Sequence, residues 1–483
     1  AERLGGEEAL SALRRRAAEH GLRLAADMVP DHTGVDSQWV LDHPERFIGQ
    51  TDCPFPGYSF DGPDLSPDPS VAIHIEDHYY DRSDAAVVFR RTDRASGEVR
   101  YIYHGNDGTS MPWNDTAQLD YLRPETREAV IRQILEVARN FSVIRFDAAM
   151  TLTRHHFQRL WFPRPGDAGA IPSRAEWALP VERFDELMPT EFWREVVDRV
   201  AAELPDTLLV AEAFWLLEGY FVRSLGMHRV YNSAFMHMLR DGDTAGYRKL
   251  LRETLEFDPA ILERYVSFMS NPDEATAAEQ FGTGERYRGV CLLLATLPGL
   301  PMFAHGQVEG FCERYGMEYG RSYRDERPNA ELVSWHEQQV APLLLRRDLF
   351  AGTSNFQLFD FRSDSGEVDE SVLAYTNGVA GERLLAVYNH SEGRVRGRIR
   401  ESVPRVEGGR RLEEGAEKSG LAAPLTAALA LDPTRQRHLL RDRLSGAEQI
   451  VDYAALVDEG LALELGPYEF LLLEPAPGES TGI

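Results

Sequence analysis

Basic residues are scarce in this chain. Its 483 residues hold 52 Lys and Arg against 78 Asp and Glu, a formal net charge of -26. A surface so acidic repels phosphate backbones, which need basic grooves, so nucleic acid is excluded as a partner. It suits a neutral ligand and a soluble protein. Cysteine is scarcer still. Cys53, Cys291 and Cys312 are odd in number and scattered, which argues against a disulfide framework and makes a cytoplasmic home the expectation. No run of about 18 apolar residues occurs, so no membrane-spanning helix is expected. What remains is ordinary globular composition, 43% hydrophobic and 27% charged. At this length two or three domains are expected.

The first segment, GGEEALSALRRRAAEHG, reads as an amphipathic helix with Leu10, Leu13 and Ala17 on one face. Gly21 stands where a C-terminal cap belongs. RLAADMV follows as a short buried strand, and helix followed directly by strand is the rhythm of an α/β fold. The rhythm returns with PETREAVIRQILEVARN running into FSVIRFDAA, and with EFWREVVDRVAAELP running into LLVAEAF. HRVYNSAF, YVSFMSN and PGLPMFAHG are further short apolar runs. Between them, residues 33–122 are rich in Pro, Gly, Asp and aromatics, with a hairpin signal in AAVVFRRTD and EVRYIYHG around RASG. A stretch this long without helical period is an inserted domain rather than a loop. A shorter insertion runs through PRPGDAGAIPSRAEW. After about Phe350 the segments SVLAYTNG, RLLAVYNH and LALELGPYEFLLLE are β-like, which predicts a C-terminal all-β sandwich. The expected organisation is residues 1–32 and 123–349 as an α/β barrel, 33–122 inserted, and 350–483 the sandwich.

Four strand ends carry polar groups that a structural strand does not need. Arg145 and Asp147 in VIRFD lie two apart and share a face. Glu212 ends the row Leu208, Val210 in LLVAEAF; Asp273 follows YVSFMSN; Asp27 interrupts RLAADMV, with His32 on the loop beyond. One acidic residue at a strand end is most often a cap or a solvated loop residue, Arg145 with Asp147 could be a structural ion pair, and His32 could simply bond backbone. Four such sites in barrel order are a different matter, because parallel α/β barrels build their active sites at the C-terminal ends of the strands.

With these segments in view, the chain resembles glycoside hydrolase family 13, the α-amylase family. DMVPDH (27–32), VIRFDAA (143–149), VAEAFW (210–215) and FMSNPD (268–273) resemble its four conserved regions in order. PGLPMFAHGQVEG resembles the family's eighth-strand motif, and PWNDTAQLDYL the return from its inserted domain. The resemblance spans roughly residues 5–340. It implies a (β/α)8 TIM-type barrel, α-glucan or maltooligosaccharide substrates, and a retaining glycosidase or transglycosylase. Asp147 would be the nucleophile, Glu212 the general acid/base and Asp273 the third carboxylate. His32, Arg145, Trp215 and Asn271 would bind substrate, and Trp113, Trp215, Phe311 and Tyr315 could stack on sugar rings or lie in the core. Two positions depart from the family pattern. Asp31 replaces the usual Asn, which often contributes to a calcium site; Asp still offers oxygen, so calcium is admitted without being required, and no metal ligand set is assigned. Pro272 replaces the usual His, which leaves the sugar site one donor short and predicts a substitute donor. Hydrolysis and glycosyl transfer both stay open.

In such a mechanism a carboxylate attacks the anomeric carbon while a carboxylic acid protonates the leaving oxygen. Arg145 would hold Asp147 ionised, and the apolar Val210, Phe214 and Trp215 would keep Glu212 protonated at rest. The rival reading is a non-catalytic amylase-like binding or docking module; such relatives lose one or more of the carboxylates, and this chain has all three. Counting strands gives six against the family's eight, the first resembling the family's third. The first two strands are therefore expected to lie outside this sequence, leaving open edges on RLAADMV and PGLPMFA.

Overall fold

The structure is a computed structural model describing residues 4–108, 111–214, 216–314, 321–406 and 421–476. Compactness divides the chain into two units, Ala1–Val230 and Tyr231–Ile483.

The first unit opens with the helix Gly6–Glu19. It ends as a Schellman turn: Gly21, at φ +69°, gives its N–H to Ala18 O and Leu22 gives its own to Ala17 O. That is the cap the sequence indicates. The apolar face finds less cover than expected, because of that face only Ala17 is buried and Leu13 is 50% exposed. The cause lies in the strand that follows. β1 (Ala25–Met28) has one neighbour among the described residues, the parallel strand β8 (Val143–Phe146), and its residues alternate between exposed and half-buried. Among the described residues β1 is the edge strand that the count of six barrel strands predicts, and not the buried strand that its apolar run suggests. From β8 the parallel sheet continues to β9 (Leu208–Ala211) and β10 (Arg229–Asn232). Helices Pro124–Asn140 and Phe192–Glu203 precede β8 and β9, and each buries its apolar stripe, Val130, Ile131, Ile134 and Leu135 on one and Trp193, Val196, Val197 and Val200 on the other.

Between β1 and the helix Pro124–Asn140 the described residues carry six short strands and the short helices Gln38–Asp42, Pro44–Arg46 and His78–Asp81. Strand β2 (His32–Gly34) pairs with β7 (Thr116–Gln118), and β3 (Gly49–Gln50), β6 (Val99–Tyr103), β5 (Val88–Asp93) and β4 (Val71–Ile75) form a four-stranded antiparallel sheet in that order. The predicted hairpin is β5–β6. Asp93 Oδ1 accepts from the N–H groups of Ala95 and Ser96, and Gly97 supplies the left-handed residue, φ +74°.

In the second unit β11 (Tyr265–Phe268) and β12 (Leu300–Met302) pair in parallel, joined through the buried helix Glu285–Thr296. Leu300 is among the exposed apolar residues, and β12 has no second neighbour among the described residues. Parallel strands alternating with helices give the (β/α)8 TIM-type pattern, with six barrel strands among the described residues. The C-terminal part is all-β. Strands β13 (Gln357–Ser363), β14 (Val372–Val379), β15 (Glu382–Asn389), β16 (Val395–Ser402), β17 (Arg437–Asp442), β18 (Glu448–Asp452), β19 (Leu461–Leu465) and β20 (Phe470–Ala476) run in the order β18-β17-β20-β15-β14-β13-β16-β19. Val451 from one end of that order and Leu461, Leu463 and Leu465 from the other join a single core with Phe359, Phe361 and Leu385. The sheet therefore closes over its own apolar face as a sandwich does.

Candidate active site

The chemistry of the first unit gathers where β1, β8 and β9 end. Parallel register sets Asp27 opposite Arg145, and Arg145 opposite Val210. Residues in register point to the same side of a sheet, so Asp27, Arg145 and the groups just beyond the strands meet. Arg145 Nη1 donates to Asp147 Oδ1 at 2.7 Å and lies 3.5 Å from Asp27 Oδ2. Its Nη2 forms an ion pair with Glu212 Oε1 at 2.9 Å. One guanidinium thus holds three carboxylates, the planar fork that only arginine offers.

The backbone completes the cluster. Asp147 N–H bonds Met28 O and Glu212 N–H bonds Phe146 O, so each acidic residue is fixed by a strand beside its own. Directly after Asp147 the chain turns through Ala148 at φ +45°, a left-handed conformation that an alanine adopts at a cost of about 1 kcal/mol. The turn aims Ala148 N–H at Glu212 Oε2, 3.0 Å away, and Ala149 N–H at Glu212 O. Glu212 is only 4% exposed, so its carboxyl depends on protein donors such as these rather than on water.

Among the contacts of Glu212 are the Arg145 guanidinium at Oε1 and the Ala148 N–H at Oε2. Asp27, which sequence reasoning noticed and gave no role, has its pKa raised above the usual value, chiefly by desolvation; Arg145 pulls it down and Asp147 pushes it up.

His32 stands on β2 with its ring 5.1 Å from that of Trp113. Gly105 makes the approach feasible, since a Cβ there would sit 2.8 Å from the Trp113 ring and 3.1 Å from His32 Nδ1. His32 Nδ1 lies 3.4 Å from Asp31 Oδ2.

Asp31 tests the calcium expectation. Its Oδ1, its main-chain O and Leu119 O converge on Gln118 Nε2 at 3.1, 2.9 and 3.3 Å. The place a cation would take between these oxygens holds an amide N–H₂, whereas calcium needs six to eight oxygens. Among the described residues no group of three His, Cys, Asp or Glu could hold a metal ion. The residues around Asp31 do not fit calcium.

Asn271 and Asp273 belong to the second unit. Asn271 spends its Oδ1 on the N–H groups of Asp273 and Glu274, at 3.0 and 2.9 Å, which fixes the turn carrying Asp273. His237 Nε2 meets Glu274 Oε1 at 3.0 Å, and Arg314 Nε donates to Pro272 O at 3.2 Å. Phe311 is half-buried. Trp215 and Tyr315 lie outside the described residues.

Solved structures share this arrangement of parts. Similar to this chain are an α-amylase from H. orenii (15% identity, 98% of this chain and 84% of that one, TM-score 0.56) and a debranching enzyme from Nostoc punctiforme (14%, 98% and 80%, 0.57). An α-amylase from Lactobacillus plantarum is similar too (17%, 97% and 82%, 0.53). The chain has the fold of the α-amylases. No protein-family profile matches its sequence, and no curated protein matches it. Among the described residues no helix is long and apolar enough to cross a membrane.

Proposed function

We propose that this chain is a retaining enzyme of α-glucans, cleaving or transferring α-glucosidic bonds through a glycosyl–Asp147 intermediate. The observation that supports it most is the single Arg145 guanidinium gripping two carboxylates, Asp147 and Glu212, at the ends of adjacent parallel strands. A retaining mechanism needs two carboxyl groups about 5 Å apart, and sharing one guanidinium keeps a pair that close. Asp147 attacks the anomeric carbon and the C–O bond to the leaving sugar breaks. Glu212 gives that oxygen a proton, then takes one from the water or sugar hydroxyl that displaces Asp147. Glu212 acts as acid in its protonated form, which the apolar Val210 and Phe214 on either side of it in sequence favour. Bound sugar, by displacing water from the site, raises its proton affinity. Asp273 serves as the third carboxylate on the strength of its motif, and Asn271, through the turn, orients it. His32 binds a sugar hydroxyl, and Arg314, anchored to the Pro272 carbonyl, is the substitute donor that the proline calls for.

The test is release of reducing sugar from starch and maltoheptaose, with and without an added acceptor sugar, with product anomers followed by NMR. Asp147→Asn should lose at least 1,000-fold in kcat while its circular dichroism is unchanged, because the amide cannot form the intermediate. Activity within tenfold of the parent, or a first product of inverted configuration, refutes the assignment.

A further inference from the structure

Trp177 is the one tryptophan among the described residues that stands exposed, at 44%. It sits on the Pro-rich insertion before the helix Val181–Leu187, far in sequence from every motif of the active site. An exposed indole is ordinarily free to turn, but this one is built in. Its Nε1 donates to Gln50 Oε1 at 3.1 Å, on β3. The Arg174 guanidinium backs its ring at 5.3 Å and also lies over Tyr103, at 4.9 Å, and Phe162, at 5.1 Å. Arg174 is 2% exposed and anchored by Nε to Trp161 O at 2.9 Å. Ser173, next to it, is held at φ +66° with its Oγ 2.5 Å from Tyr103 OH. Gln50 in turn spends its Nε2 on Asp52 O.

A buried cation thus lies among three aromatic rings, two of them in the core, beside a serine in the left-handed region and a glutamine with both polar atoms committed. What they hold still is a flat apolar ring beside the exposed polar groups of Thr51, Asp52 and Glu176. That is the chemistry a pyranose recognises: the C–H face of the sugar covers the ring and its hydroxyls meet a polar rim, at low ordering cost because the ring is fixed beforehand.

We propose that Trp177 is a carbohydrate-binding platform, additional to the catalytic cluster, that takes a glucose ring of an α-glucan chain. The inference rests on the α-glucan reading of the protein for the choice of sugar. The test uses affinity electrophoresis of the full chain through gels containing soluble starch, with Asp147→Asn as the background so that the polymer survives. Adding Trp177→Ala should weaken the apparent affinity roughly three- to tenfold, the range for one lost aromatic contact, while Trp177→Phe retains most of it. Thermal unfolding of each variant separates a binding loss from misfolding: Trp177→Phe binding like Trp177→Ala, with an unchanged melting temperature, counts against the platform. Equal retardation of Trp177→Ala and its background overturns the proposal. If the wild-type chain cleaves no α-glucan yet starch retardation still depends on Trp177, the enzyme reading fails and the platform stands.

Discussion

Arg145→Met removes the guanidinium that faces Asp27, Asp147 and Glu212, at 3.5, 2.7 and 2.9 Å, and replaces it with an uncharged side chain. Stripping one partner from a buried ion pair costs about 3–5 kcal/mol. The three acids do not share that equally. Asp27 is 60% exposed, so water screens most of its part, and Asp147 is partly exposed as well. Glu212 is buried and would keep the Ala148 N–H but lose its guanidinium partner. A net loss of about 2–3 kcal/mol is expected, roughly 30- to 150-fold in the unfolding equilibrium. The loss should depend on pH with a definite sign. Asp27 already has a raised pKa; stability linked to such a group is full below its unfolded pKa and is lost as pH rises through the folded one. Removing Arg145, which pulls the Asp27 pKa down, moves Asp27 further that way, so the deficit should be widest near pH 8 and shrink toward pH 4. Urea unfolding of parent and variant at pH 8, 6 and 4, followed by circular dichroism, measures it. Equal stability at pH 8, or a deficit that grows as pH falls, refutes the reasoning. Turnover should fall roughly 100-fold or more, since the group orienting both carboxylates is gone.

Two further outcomes follow from the same contacts. Chelation by EDTA should leave the parent's melting temperature within about 1 °C, whereas Gln118→Glu, which sets a second carboxylate against Asp31, should lose about 1–3 kcal/mol and recover it with added calcium; a parent that melts several degrees lower in EDTA contradicts the fit at Asp31. Asp27→Asn removes a carboxyl with raised pKa, so the variant should gain on the parent as pH rises above about 4, by a few tenths of a kcal/mol at so exposed a side chain; denaturant midpoints at pH 3 and pH 7 read this directly, and a gain confined to pH 3 contradicts it.

The sequence alone was enough to place Asp147 and Glu212 at strand ends, because hydrophobic periodicity marks the strands and the polar residue that breaks each run marks its end. It located the helices Pro124–Asn140 and Phe192–Glu203, the Gly21 cap and the β5–β6 hairpin for the same local reasons. What it did not reveal depends on residues far apart in the chain. Nothing local says that Glu212, 64 residues on, would accept from Ala148 N–H, or that Arg145 would reach it as well as Asp147; parallel register decides that by laying β8 beside β9. Leu13 keeps its helical period whether or not a neighbouring strand exists to cover it. Asp31 is held by Gln118 across 87 residues, and Trp177 by Gln50 across 127. Periodicity and motif report which residue types stand where along each element. Which of them share a proton, an arginine or an amide is settled only when the sheet brings their strands together, because hydrogen bonds and ion pairs act over a few ångströms of space and not along the chain.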